Sequence, residues 1–320
     1  MHPAQRFREF ALREARGNSP LYHRRALDMA ADPETLALIA ALPPDKRQPN
    51  LILAAARVNG ANAERYSEFR EQFHAHWPAI ARTALTRRTQ TNEAGRAACL
   101  LPILAALPGP LSLVEVGASA GLCLYPDRFS YRYDGASLDP EEGPSSVVLS
   151  CTTTGAVPIP TRLPRVVHRT GVDLNPLDAA DGGDRDWLAA LVWPGQEHRA
   201  ARLRAACAIA AADPPKIIVG DLIEKVTELV ATAPRDSTVV VFHSAVLNYL
   251  SPAARAEFRT TVRALPCHWI SQEGPGVLPW LTDQLPGRDS DDAQLVVALD
   301  EVALAYAGPH GQSLGWFGVG

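Results

Sequence analysis

The chain has 320 residues and a mass of 34.5 kDa; 47% of the residues are hydrophobic, 21% are charged, and the formal net charge is −4. This composition excludes a disordered tail, a collagen-like fibre and a disulfide scaffold, and its slight acidity gives no reason to expect a nucleic-acid partner. The charge is uneven, because residues 1–110 carry 15 Lys and Arg against 10 Asp and Glu, whereas residues 111–320 carry 16 against 25. That asymmetry indicates two structural parts.

The N-terminal residues, the apolar stretches and the cysteines indicate the cellular location of the protein. The first 16 residues are charged throughout and lack the apolar core of a signal peptide. The longest apolar stretch, residues 97–116, contains three prolines, which is not typical of a membrane span. The five cysteines have no C-x-x-C spacing and the histidines have no metal-ligand spacing, so we predict no metal site. We expect a cytoplasmic protein without a membrane partner.

Residues 1–108 contain no convincing strand pattern. Apolar residues recur there at helical spacing, and Gly- and Pro-containing breaks divide the region into four to six helices. The sequence therefore predicts an all-helical cap domain over residues 1–108.

Strand and helix patterns alternate beyond Pro110. Apolar runs predict five buried strands, at Leu111–Val116, Arg165–Val172, Ile217–Val219, Thr238–Phe242 and Cys267–Ser271. Helical patterns lie between the later strands, the tail resembles an antiparallel hairpin, and residues 126–164 resemble an inserted β-arm. We therefore predict an α/β domain over residues 109–320, with a mostly parallel sheet.

The segment Leu113–Gly121, LVEVGASAG, is a predicted strand followed by a loop of small residues. Ahead of a helix, such a loop presents backbone N–H groups to a ligand, although tight packing of a strand–helix turn also requires small residues. The loop also spells G-x-S-x-G, the nucleophile elbow of hydrolases, with Ser119 as nucleophile and with Asp283 or Asp292 and His310 downstream. The elbow follows a central strand in those enzymes, whereas no strand is predicted here before Leu111.

The predicted core resembles the class I S-adenosylmethionine-dependent methyltransferases, which implies a Rossmann-like, methyltransferase-type, mostly parallel sheet with a C-terminal antiparallel hairpin. Glu115 and the loop after it are similar to that family's first motif, with Ser119 in place of the middle glycine. Asp173, in GVDLNP, is similar to the acid that holds the ribose hydroxyls; it lies 56 residues past Gly117, or 17 when residues 126–164 are left out. The resemblance implies S-adenosylmethionine as cofactor, bound by Glu115, Gly117, Ala118, Ser119, Gly121, Asp173, Asn175, Asp221 and Leu222. Both aspartates also suit helix N-caps.

Two candidate catalytic residues follow later strands. His243 ends the run VVVFH, and Glu273 comes just after the predicted strand that ends at Ser271. The carboxyl ends of parallel strands form the ligand-binding edge of such sheets, and the resemblance places the reacting methyl group there. His243 can act as a general base on a substrate hydroxyl or amine, with Glu273 as a second acid–base group. A structural histidine is the alternative.

A closer resemblance extends over nearly the whole chain. GASAGL, DRFSYRYDG, GVDLNPLD, a WPGQ segment with Arg199, and VVVFHSAVLNYL are similar to the bacterial domain of unknown function 2332. We expect a methyltransferase that acts on a small-molecule or other acceptor held between core and cap. A hydrolase that uses Ser119 and a non-catalytic binding module remain the alternatives, and the sequence does not indicate an oligomeric state.

Overall fold

The computed structural model describes residues 2–90, 92–287 and 294–318. Contacts divide the chain into two compact units: a helical unit, Met1–Thr91 with Asp181–Arg204, and a sheet unit, Asn92–Ala180 with Ala205–Gly320. This division differs from the predicted boundary at residue 108, because the apolar helix α7 (Ala97–Ala106) packs against strands of the sheet unit.

Most of the helices that precede the first strand begin at a proline or one residue before it. Proline suits the first helical turn because its φ is preset and its missing N–H would have no partner there. Among the described residues, seven α-helices precede the first strand instead of the predicted four to six, because Pro33 and Trp77-Pro78 begin new helices. The helices are α1 (Pro3–Phe10), α2 (Pro20–Ala30), α3 (Pro33–Ala40), α4 (Pro49–Val58), α5 (Tyr66–Ala75), α6 (Trp77–Thr86) and α7.

The later segment of the helical unit packs on the N-terminal helices. It contains α8 (Gly182–Leu191) and the first half of α9 (Glu197–Ala212). Trp193, from the WPGQ segment, packs edge-on against Phe10 at 5.3 Å between ring centroids, and its indole N–H donates to Asn50 Oδ1 at 2.9 Å. This segment therefore completes the core of the helical unit.

The sheet unit is built on one 11-stranded sheet in the order β3-β2-β4-β11-β10-β9-β8-β7-β1-β5-β6. The strands are β1 (Leu111–Val116), β2 (Ser130–Tyr133), β3 (Ala136–Leu138), β4 (Val148–Thr154), β5 (Val166–Asp173), β6 (Lys216–Val219), β7 (Thr238–Ser244), β8 (His268–Glu273), β9 (Leu295–Leu299), β10 (Val302–Ala307) and β11 (Ser313–Trp316). The predicted mixed α/β class is confirmed. The predicted arm supplies β2, β3 and β4, which join the main sheet where β4 pairs with β11.

Strands β8, β7, β1 and β5 run parallel to one another, and β6 extends this parallel part to one edge of the sheet. The chain passes from β1 outward to β5 and β6 on one side, then returns to β7 and β8 on the other. The sheet therefore has a topological switch point between β1 and β7, where ligands bind in open α/β sheets. Helices α10 (Leu222–Ala231) and α11 (Pro252–Arg263) pack against each other, and α10 also contacts β1 and β5. No helix within the described ranges has both the length and the apolar character needed to cross a membrane.

Candidate ligand-binding edge of the sheet

Most of the predicted cofactor residues lie together at the carboxyl ends of β1, β5 and β6. The glycine loop, Gly117–Gly121, follows β1, Asp173 ends β5, and Asp221 lies two residues past β6. Because β1, β5 and β6 are neighbours in that order, these three segments lie side by side. Leu222 is the buried first residue of α10.

The backbone of the glycine loop is bonded largely within the protein. Gly117 N donates to Val172 O at 2.8 Å, Ser119 N to Asp173 Oδ2 at 2.8 Å, and Gly121 N to Ala118 O at 2.7 Å. Ser119 has φ +52°, a conformation that favours glycine. A 3₁₀ turn over Leu122–Leu124 follows the loop, so no α-helix begins directly after Gly121 to present its N-terminus to a ligand.

Packing explains two of the small residues around the loop. A Cβ on Gly117 would lie 2.3 Å from Val246 Cγ2, and a Cβ on Gly171 would lie 2.7 Å from Ala118 Cβ. Val246 follows β7, so it reaches the loop across the switch point. The sequence did not single out Val246, because its partner is far away in the chain.

Asp221 performs the capping role that the sequence left open, whereas Asp173 accepts from loop amides and caps no helix, since α8 begins only at Gly182. Asp173 accepts from Asn175 N as well as from Ser119 N, and Asp221 Oδ1 caps α10 by accepting from Ile223 N at 2.8 Å. Both aspartates are half-buried, and each is beside an exposed apolar side chain: Leu174 is 63% exposed and Val219 70%. The Asp221 carboxylate has lone pairs beyond the one that the helix cap uses, and these can accept from a ligand.

His243 and Glu273 form a fully buried pair, with Nδ1 and Oε1 2.7 Å apart. The indole N–H of Trp269 donates to His243 Nε2 at 3.0 Å. An indole only donates, so Nε2 is an acceptor and the proton of a neutral imidazole resides on Nδ1, which donates to Glu273. Both ring nitrogens are thus occupied, and neither residue is exposed to a substrate.

Glu273 holds the loop that follows β7. Its Oε1 also accepts from Val246 N and Leu247 N, each at 2.9 Å. Burial raises the pKa of Glu273, but the bonds from His243 and from these two amides outweigh burial and hold the pKa below its ordinary value. The pair therefore positions Val246, which in turn covers Gly117.

Glu115 points to the opposite face of the sheet. Side chains alternate along a strand, and register places Glu115 beside Phe242, whereas His243 points the other way. Burial raises the pKa of Glu115 well above its ordinary value, and the nearby charge of Arg96 only partly opposes this. Its Oε2 has no hydrogen-bond partner among the described residues. Glu115 is thus a buried acid, 3% exposed, whose neutral form is favoured by burial, rather than a side chain open to the crevice.

Replacing Glu115 with glutamine is expected to raise the free energy of unfolding at neutral pH, because a neutral isostere avoids the burial of an ionisable acid. A carboxyl whose folded pKa is raised loses its stabilising contribution as pH increases from the unfolded value through the folded one. The gain from Glu115→Gln should therefore be absent near pH 4 and increase, by about 1 kcal/mol or more, towards pH 8. Urea unfolding at several pH values measures it, and a loss of stability at pH 8 would contradict the assignment.

The hydrolase alternative is not assembled in the structure. Ser119 is 4% exposed, and its Oγ has no hydrogen-bond partner in the described part of the chain. A serine nucleophile needs a base within hydrogen-bonding reach. Of the acids considered for this alternative, Asp283 is exposed and Asp292 lies outside the described residues.

The family model described as "Uncharacterized protein conserved in bacteria (DUF2332)" matches residues 4–316, a range that includes parts of both units. No curated protein and no solved structure matches the chain.

Proposed function

We propose that the sheet unit of this chain binds S-adenosylmethionine and transfers the methyl group to a small-molecule acceptor. The chain belongs to the family of uncharacterised bacterial proteins DUF2332, and the proposal proceeds from that membership. One observation carries the proposal: Asp173 and Asp221 lie at the carboxyl ends of the adjacent parallel strands β5 and β6, on the β1 side of the switch point. An exposed apolar residue lies near each of them, Leu174 and Val219 respectively.

These residues fit the nucleoside end of the cofactor. A carboxylate accepts strong hydrogen bonds from hydroxyls, which suits Asp173 to a ribose diol. Asp221 can accept from an exocyclic amine, and exposed Leu174 and Val219 offer apolar surface to a base. The fit is poorer at the glycine loop, where Val246 lies against Gly117. Binding there requires the Val246 side chain to move aside.

When bound, the cofactor supplies a methyl group on a sulfonium, whose leaving group needs no covalent help from the protein. The chain's own contribution is then to bind and orient, with Asp173 and Asp221 holding the nucleoside. His243 does not fit the role of general base, since both nitrogens are occupied. The site best suits acceptors that are nucleophilic without transferring a proton to His243.

The test is isothermal titration with S-adenosylmethionine and S-adenosylhomocysteine. Asp221→Asn keeps the helix cap, because asparagine caps as well as aspartate, but removes the charge. We expect this variant to weaken binding about tenfold with little change in Tm. Asp236→Asn, an exposed change before β7 at the other end of the strand, is the matched control. Absence of binding by the wild-type protein, or equal binding by the two variants, would contradict the proposal.

The covered glycine loop favours a second candidate, a nucleoside-binding module without catalysis. Contacts limited to the nucleoside end would not distinguish the cofactor from adenosine. Adenosine should then bind as tightly as S-adenosylmethionine, whereas a methyltransferase site should prefer the full cofactor.

A further inference from the structure

An exposed aromatic residue follows the central strand β7 at the carboxyl edge of the sheet. Tyr249 ends the 3₁₀ turn Leu247–Tyr249, and its side chain is 72% exposed. Binding residues are often found on such turns, because a rigid scaffold positions them while their side chains stay accessible. Tyr249 thus offers an accessible ring on the β7 side of the switch point.

Hydrogen bonds hold the turn that carries Tyr249. The Arg255 guanidinium of α11 donates to Leu247 O at 2.8 Å. Tyr249 N donates to Val246 O at 3.0 Å, and Val246 N in turn donates to Glu273. A side chain on an anchored backbone loses less freedom when a ligand binds, which favours binding to the exposed ring.

The same turn places Tyr249 on the side of the glycine loop. Residues three apart lie on one face of a 3₁₀ turn, so the side chains of Val246 and Tyr249 share a face. Val246 lies against Gly117, where an added Cβ would be 2.3 Å from Val246 Cγ2. Tyr249 therefore lies next to Val246 on the face turned towards the crevice between β1 and β7.

Strand order separates Tyr249 from the residues proposed to hold the nucleoside. Asp221 and Val219 belong to the end of β6, which is three strands from β7 in the order β7-β1-β5-β6. Neighbouring strands are about 4.8 Å apart, so the two segments are on the order of 14 Å apart. A purine held at the end of β6 does not reach across that distance, so Tyr249 suits the acceptor rather than the adenine.

We propose that Tyr249 stacks on the methyl acceptor, and that this acceptor is a planar heteroaromatic base with an unprotonated ring nitrogen. The acceptor class rests on the proposed function, because the same crevice would hold cofactor and acceptor. Aromatic rings stack on one another, and the face of a tyrosine ring also favours the positive charge that develops on the acceptor. His243 is unavailable as a base, and such a nitrogen has no proton to lose.

The transfer balances without a protein base. The lone pair of the ring nitrogen forms the new bond to the methyl carbon, and the electron pair of the carbon–sulfur bond goes to sulfur. The ring then carries the positive charge that the sulfonium loses, and S-adenosylhomocysteine is the second product. Because no proton is released, the rate should not change with pH once the free acceptor is unprotonated.

Isoquinoline in mildly alkaline buffer is the probe, because it is planar and its ring nitrogen is then unprotonated. Ligand-observed NMR titration of the full chain measures its binding without cofactor. Tyr249→Leu keeps an apolar side chain but removes the ring, and should weaken binding about fivefold, whereas Tyr249→Phe should stay within about twofold of wild type. Val302→Ala removes an exposed apolar side chain at the start of β10, on the opposite edge of the sheet, and is the matched control.

Equal isoquinoline affinities of Tyr249→Leu and Val302→Ala would overturn the role of Tyr249. Mass spectrometry after incubation with S-adenosylmethionine should detect N-methylisoquinolinium. Isoquinoline that binds beside the bound cofactor but is not methylated would overturn the acceptor class.

Isothermal titration with S-adenosylmethionine separates this inference from the proposed function. A wild-type protein that binds the cofactor but not isoquinoline refutes the acceptor class alone. A wild-type protein that binds isoquinoline through Tyr249 but not the cofactor refutes the proposed function while supporting the stacking. An equal loss of cofactor and isoquinoline affinity in Tyr249→Leu would assign Tyr249 to the nucleoside and overturn its role at the acceptor.

Discussion

Replacing Glu273 with alanine is expected to lower the free energy of unfolding by about 3–5 kcal/mol. The substitution leaves three buried donors without an acceptor: His243 Nδ1–H, Val246 N–H and Leu247 N–H. It also opens a cavity next to Trp269, which bonds the same imidazole. Urea unfolding followed by tryptophan fluorescence measures the loss.

Glu273→Gln separates the charge from the shape, because glutamine keeps one carbonyl acceptor. We expect a smaller loss, about 1–3 kcal/mol at pH 7. The folded pKa of Glu273 is depressed, so its contribution is present above the unfolded value and is lost as pH falls through the folded one. The difference between wild type and Glu273→Gln should therefore shrink in acid.

Glu257→Gln, an exposed change on α11, is the matched control and should leave stability unchanged. If Glu273→Ala unfolded at the same urea concentration as this control, the buried pair would not hold the loop as described.

The second large effect is expected at Gly117, where alanine should lower the free energy of unfolding by about 2–4 kcal/mol. Gly117 has φ +72°, and the added Cβ would meet Val246 Cγ2 at 2.3 Å. The left-handed backbone and the steric overlap both contribute to this loss of stability. The overlap is with the Val246 side chain.

A double-mutant cycle isolates that contribution. Val246→Ala alone should cost about 1 kcal/mol for the lost packing, but in the Gly117→Ala background it should restore about 1–2 kcal/mol by removing the overlap. Gly171→Ala, which meets Ala118 instead, is a control that Val246→Ala should not rescue. Strict additivity between Gly117→Ala and Val246→Ala would mean that the two residues do not touch.

These two experiments concern one connected arrangement. Glu273 fixes the amides of Val246 and Leu247, and Val246 covers the glycine loop to which Asp173 is also bonded. If the proposed cofactor binds, Val246→Ala should make room at Gly117. The same variant thus links loop stability to ligand access.

The elements were largely predictable from the sequence. Leu111–Val116 was predicted with the bounds that the structure has, because apolar runs between turn residues are local signals. The residues after Gly121 form a 3₁₀ turn, from which the chain continues to the inserted strands. The count of N-terminal helices was too low, because helices joined at a proline leave no break in the apolar pattern.

The positions of the candidate residues along the strands were predictable from the sequence, but their contacts were not. Asp173 and Asp221 were expected at neighbouring strand ends, and the strand order brings them there. His243 and Glu273 were expected to face substrate, a role that stays a prediction without support from their geometry, since both are buried and bonded to each other. Position along a strand does not reveal how a neighbouring strand and helix cover a side chain.

The sequence by itself determined the alternation of strand and helix, the small-residue loop and the acids at strand ends, because each depends on residues close together in the chain. Only the tertiary structure decided that α7 belongs with the sheet, that Val246 covers Gly117, and that Tyr249 is exposed next to Val246. These features depend on pairing, packing and burial between distant segments, for which a single sequence carries no local signal.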